Sequence, residues 1–212
     1  MQLVSVNVGM PRQVTREGKR VTTGIFKVPV RAPVWLGSLK LDGDGQADLE
    51  VHGGKFQAAY VYPSEHYAFW RYELPGTDLP WGMFGENLTS EGLLENDVHI
   101  GDELRIGEAL VRVTAPRLPC YKLGIKFGRP DMVKRFLDSG RTGFYLLVAR
   151  EGRVEAGDAI QPLRRDPHGV TVADFTRLHK RGKHDLATMR RLLQVDVLPD
   201  GWRRHFEKIA GA

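Results

Sequence analysis

Between residues 1 and 162, apolar, β-branched and aromatic residues come in short runs cut by Gly, Pro and Asp. Runs at 1–9, 21–28, 58–62, 97–100, 109–114 and 143–148 each predict a strand. Many short strands in succession predict a closed or sandwiched sheet. Two stretches break the pattern and predict helices: 64–72, after Pro63 with Ser64 as its expected N-cap, and 131–137, after Pro130. Beyond Pro162 the apolar period lengthens to that of a helix. Thr171 with Asp174 has the spacing of a capping box ahead of Val172, Phe175 and Leu178, Asp185 is placed to cap a helix over 186–193, and a third helix is predicted over 202–209. Their apolar residues, with Trp202 and Phe206, are most economically the mutual core of a small bundle. The expectation is a mainly β domain with a few helices over residues 1–162 and a three-helix extension over 163–212.

A chain of 212 residues can bury one substantial core without disulfide staples, and this one has a single cysteine. Its first residues lack the basic and apolar regions of a secretory signal, and no apolar run approaches a membrane span, so a soluble cytoplasmic protein is expected. Charge changes the picture only at the C-terminal end. Residues 1–162 balance 20 basic against 20 acidic residues, whereas residues 163–212 carry 11 basic and 6 acidic, so the whole +5 excess lies there. That excess can face an acidic protein, nucleic acid or water, and solvated helix faces are the simplest reading.

The candidate chemistry is concentrated in a few segments. Cys120 sits between Pro119 and Tyr121, with Arg117 and Lys122 close by. Nearby cations favour a thiolate, the form that attacks electrophiles or binds soft metals, while the alternative is a small buried hydrophobe; the segment alone leaves both open. The glycines of His52-Gly53-Gly54-Lys55 and of Gly85-Glu86-Asn87 allow close backbone approach to a ligand, or simply form turns. Ser139-Gly140-Arg141-Thr142-Gly143 offers amides, a hydroxyl and a guanidinium to an anion, and is equally a loop entering a strand. A calcium loop over residues 41–48 is not expected, because Gln46 stands where Asp or Asn is needed. The seven histidines lack the spacing of a zinc site.

Taken in order, residues 23–30, 43–48, 51–54, 62–67, 84–89, 100–102, 116–123 and 139–143 resemble the MOSC (molybdenum cofactor sulfurase C-terminal) domain family, in its bacterial YiiM type with a C-terminal three-helix extension. The resemblance covers nearly the whole chain. Departures are Ala115, where a polar residue often precedes the Pro-Arg of the cysteine loop, and Arg31-Ala32 in place of a glycine-bearing turn. The resemblance implies a β-barrel that binds molybdenum cofactor (Mo-molybdopterin), with Cys120 as the metal's protein ligand. It assigns Lys27, Gly85, Asn87, Arg117, Arg141 and Thr142 to the cofactor, and His52, Glu65 and His66 to the substrate side or to proton delivery beside Cys120.

It further implies a reductase that removes the oxygen of an N–OH group, as in the conversion of 6-hydroxylaminopurine to the amine, a detoxification. With no Gly-rich dinucleotide fingerprint and no flavin or iron–sulfur motif in the chain, electrons are expected from a separate reductase, with the basic tail as a docking face. A carrier of cofactor or sulfur without its own reductase activity is the competing reading. Nucleic-acid binding through the tail ranks below both, and a homodimer is compatible with either.

Overall fold

The computed structural model describes residues 1–47, 53–181 and 185–211. Strands β1 (Gln2–Val8), β2 (Arg12–Arg16), β3 (Lys19–Thr23), β4 (Val28–Val30) and β5 (Val34–Leu36) are followed by β6 (Ala59–Pro63), helix α1 (Glu65–Glu73) and β7 (Leu88–Glu91). Next come β8 (Glu103–Ile106), β9 (Ala109–Pro116), α2 (Tyr121–Phe127), α3 (Met132–Ser139), β10 (Phe144–Arg150), β11 (Gly152–Val154) and β12 (Ile160–Arg164). The chain closes with α4 (Val172–Arg181), α5 (Leu186–Leu192) and α6 (Asp200–Ala210). No helix among the described residues is long and apolar enough to cross a membrane.

Eight strands form one sheet in the order β12-β8-β9-β10-β6-β7-β1-β4, in which only the β6–β7 pairing is parallel. The sheet curls until β1 meets the segment leading into β12. Gln2 of β1 bridges Ala159 just ahead of β12, the Leu3 amide donates to Asp158 O at 2.8 Å, and that of Ile160 donates to Met1 O at 3.0 Å. Closure leaves fewer exposed ladder groups than a flat sheet of this length would. Strands β2 and β3 stand outside it as a hairpin, turned at Glu17 (φ 49°) and Gly18 (φ 76°), the pair of positive φ values that a tight two-residue hairpin turn requires.

Strand β6 is buried along its whole length and serves two cores. Ala59 and Val61 face the barrel interior, an aliphatic cluster that also takes in Val113, Leu146 and, from the C-terminal helices, Phe175, Met189 and Phe206. Tyr60 and Tyr62 face the other way, into an aromatic cluster with Tyr67 and Trp70 of α1, Phe84, and Phe136 of α3. This second layer carries the functional site.

The capping box at the start of α4 is formed as expected: the Thr171 hydroxyl accepts from the Asp174 amide at 3.0 Å, and the Asp174 carboxylate from the Thr171 amide at 3.0 Å. Asp185 likewise accepts from the Thr188 amide at 3.0 Å. Three local expectations fail. Residues 97–100 form a turn with an isolated bridge, His99 to Thr171, because the Asp102 carboxylate takes the His99 and Asp166 amides at 2.9 and 2.8 Å in place of a ladder. The Ser64 side chain does not cap α1; its backbone amide donates to Ser90 O at 2.7 Å instead. The strand expected over 21–28 stops at Thr23, and residues 24–27 run irregularly along the site.

Candidate functional site

Strand β9 ends at Pro116 and α2 begins at Tyr121, so a four-residue link containing Pro119 presents Cys120, half-buried and in extended conformation, at the edge of a cleft of about 710 Å³. Proline at 119 narrows the conformations open to this link before any ligand arrives. Lys27, Gly85, Asn87 and Arg117 border the same cleft, together with Asp44, Tyr60, Lys122 and Tyr145.

Arg117 is 6% exposed, with its guanidinium 5.4 Å from the centre of the Tyr60 ring and 5.2 Å from that of Phe136. Among the described residues its Nη1 has no hydrogen-bond partner. Burial acts to lower its pKa, but the neighbouring Tyr60 and Tyr145 hydroxyls and the Cys120 sulfur hold it above the ordinary range, so the charge persists. A buried cation with an unused donor is costly in an apolar wall and is accounted for by an anion in the cleft. Lys122, also buried, forms no ion pair with a described residue.

Lys27 and Asn87 are spoken for. The Lys27 ammonium pairs with Asp44, Nζ lying 2.6 Å from Oδ2, and burial pulls its pKa down against the raising pull of that carboxylate. Asp44 also accepts from the Gly9 amide at 3.0 Å and from Asn87 Nδ2 at 2.9 Å, while Asn87 Oδ1 accepts from the Tyr60 amide at 3.1 Å. These residues build the wall. Gly85 has φ +83°, and a Cβ there would come within 2.8 Å of Ile25 Cγ1, so the wall needs glycine at this point. Behind it Glu86, fully buried, accepts from the Gly82 and Phe84 amides at 2.7 and 3.1 Å, from Thr89 Oγ1 at 3.1 Å and from the Tyr67 hydroxyl. Burial raises the pKa of Glu86 against the pull of these donors, Tyr67 first.

Glu65, His66 and Arg141 border a second cleft, between α1, the 94–96 turn, α3 and α4. His66 Nε2 donates to Glu95 at 2.7 Å, and Glu95 Oε1 accepts from the Gly143 amide at 2.7 Å. Glu65 accepts from the Gly92 amide at 2.6 Å, and the Arg141 guanidinium lies 3.8 Å over the Phe69 ring. Thr142 is buried between the clefts; its hydroxyl donates to Gly143 O at 3.0 Å and its carbonyl accepts from the Tyr60 hydroxyl at 2.8 Å. His52 lies outside the described residues. Of the residues expected at one site, the structure therefore brings together Lys27, Gly85, Asn87, Arg117 and Cys120, and sets Glu65, His66 and Arg141 apart.

Sequence reasoning assigned no role to Asp44, Tyr60, Glu86, Glu95 or Tyr145. A signal existed for the tyrosines: they sit on adjacent predicted strands at positions facing away from the apolar alternation, and they prove to be cross-strand partners. Glu86 and Glu95 gave none, since burial of a carboxylate is a tertiary fact.

A closed barrel with a cysteine-bearing cleft and a fused helical extension defines a class, and comparison with known proteins agrees. The chain belongs to the MOSC domain family, which it matches over residues 48–161, and residues 170–208 match the YiiM-like, 3-alpha helix domain. It is 42% identical over 97% of its length to the uncharacterized protein YflK of Bacillus subtilis (strain 168), covering 93% of that protein. The crystal structure of YiiM from Geobacillus stearothermophilus superposes with a TM-score of 0.83 at 36% identity, over 99% of this chain and 98% of that one. A protein of Gibberella moniliformis (strain M3125 / FGSC 7600) named as a reductase is 36% identical over 76% of this chain, which spans 29% of that protein. MOSC domains are associated in general with molybdenum cofactor. The donor set here suits such a group: a sulfur ligand for a soft metal, with the unused Arg117 Nη1 and Lys122 beside it for anionic oxygens.

Proposed function

We propose that this protein is a molybdenum-cofactor-dependent reductase of N-hydroxylated compounds, converting R–NHOH, two electrons and two protons to R–NH2 and water. The observation that carries the reading is the convergence on one cleft of Cys120, the buried and incompletely paired Arg117, and Lys122. The bound cofactor would supply the two-electron chemistry. The protein's part is to hold and orient. Cys120 Sγ is the protein ligand; Arg117, locked between two rings, and Lys122 keep that sulfur anionic and grip the cofactor's negative end. The Lys27–Asp44–Asn87 network keeps the opposite wall rigid.

Proton handling falls to groups in this cleft. Burial raises the pKa of Tyr145, so its hydroxyl remains protonated at neutral pH and able to donate. His66 and Glu65, bordering the other cleft, support the fold of the 142–143 segment and the 92 turn rather than touching substrate. Electrons come from a separate donor, and the fungal relative named as a reductase supports the redox reading. The test is reduction of 6-hydroxylaminopurine to adenine by molybdenum-loaded protein with a chemical reductant, wild type against Cys120→Ser. Turnover lost in the variant supports the reading. Absence of turnover in wild-type protein of verified molybdenum content overturns it in favour of a carrier.

A further inference from the structure

The basic tail was the expected docking face, and two of its arginines bond within the chain. Arg203 Nη2 donates to Val195 O at 2.8 Å, and Arg191 donates to His168 O at 3.3 Å and to Thr188 Oγ1 at 3.1 Å. A denser cationic surface stands at the rim of the Cys120 cleft. The β2–β3 hairpin carries Arg12, Arg16, Lys19 and Arg20 against one acid, Glu17, and Lys19 and Arg20 are exposed with no ion pair to any described residue. The hairpin is anchored to the site itself. Its last residue, Thr23, lines the cleft, Arg12 lies 3.6 Å over the Phe26 ring, and the Arg16 guanidinium lies 5.5 Å from the ring of Tyr121, the residue after Cys120.

Apolar side chains are exposed on the same rim. Met10 is 63% exposed and its sulfur reaches the cleft-lining Gly45; Val28, 62% exposed, follows Lys27; and Tyr121, 47% exposed, follows Cys120. Solvated apolar groups beside hairpin cations of which, among the described residues, only Arg16 has an acidic partner, Glu17, are the composition of a small transient interface steered by electrostatics.

We propose that the β2–β3 hairpin, with Met10, Val28 and Tyr121, is the docking surface for an acidic flavin-carrying protein that delivers electrons to the cleft. The proposal rests on the reductase reading for its purpose and on the rim itself for its location. In the coupled reaction the partner's flavin hydroquinone is oxidised to the quinone and loses two electrons and two protons. The substrate's N–O bond breaks, its nitrogen takes one proton and its oxygen leaves as water.

An acidic flavodoxin is the probe, with Lys19→Glu/Arg20→Glu as the hairpin variant and Arg190→Glu/Arg204→Glu as the tail control. Binding is measured by titration calorimetry and turnover with reduced flavodoxin and with dithionite. The hairpin variant is expected to bind at least about tenfold more weakly at low salt and to lose coupled turnover in proportion, with dithionite turnover and melting temperature unchanged and the tail control like wild type. Equal binding by wild type and the hairpin variant, no binding by wild type, or weakening confined to the tail control overturns the proposal. Failure of wild type with dithionite overturns the reductase reading, and the binding arm still decides the surface.

Discussion

The Cys120 cleft and the His66 cleft share the 142–143 segment as a partition, and both contain buried charge. In the His66 cleft that charge is spent: His66 is closed on Glu95, Glu95 on the Gly143 amide, and Glu65 on the Gly92 amide. In the Cys120 cleft acids and bases are matched along one wall, Lys27 with Asp44, but Arg117 and Lys122 on the other side have no carboxylate partner among the described residues. Compensated charge reads as architecture and uncompensated charge as an invitation to a ligand, because only the second gains by binding something of opposite sign.

The largest effect that would sharpen this contrast is Glu95→Ala. Leaving His66 and the Gly143 amide without their buried acceptor should cost about 1–3 kcal/mol of stability for each orphaned group by denaturant titration, while molybdenum per folded molecule stays near the wild-type value. Cys120→Ser should do the reverse: metal content by mass spectrometry falls more than about 100-fold, beyond the loss typical of outer-shell changes, with little change in the denaturant midpoint. Arg117→Met separates the two ideas within one residue. It should reduce cofactor affinity by roughly 10–100-fold yet leave stability equal or higher, since it removes a buried charge whose Nη1 has no partner among the described residues. A fall in stability with affinity intact would break the contrast.

The smallest effect concerns pH. Lys126, whose ammonium donates to Ile25 O at 3.1 Å and Gly82 O at 2.8 Å, has its pKa lowered by burial to about 8. The unfolded chain therefore holds more protons than the folded one between pH 8 and the ordinary lysine range, and stability rises with pH across that window. Melting temperature should rise modestly from pH 7.5 to 9.5, and Lys126→Met should flatten the rise.

Legibility in the sequence divides along similar lines. Strands β6, β9 and β10 and helices α1, α3, α4, α5 and α6 were readable because local period and capping chemistry agree with the tertiary result. Helix α2 was not, since it holds only seven residues with Gly124 in its middle and follows the proline link. The 97–100 turn was missed because the β-prone Val98 and Ile100 are overruled by one carboxylate, Asp102, bonding to the backbone. Cys120 and its cation neighbours were legible as a contiguous segment. The assignment of Glu65, His66 and Arg141 to the same site was not tied to any period or spacing, and nothing local says on which side of residues 142–143 a side chain emerges.

The meeting of Gln2 with Ala159 places a constraint on how the protein comes into being. Strand β1 cannot be sealed to the segment ahead of β12 until more than 150 further residues have followed it from the ribosome, on the order of ten or more seconds of synthesis. Until then the Gln2–Leu3 end of β1 lacks its partner on one side, although β7 and β4 already flank the strand. The cleft, lined also by Cys120 and Tyr145, is completed late in synthesis, and the slow interval before closure is when the unpaired strand end is most exposed to aggregation.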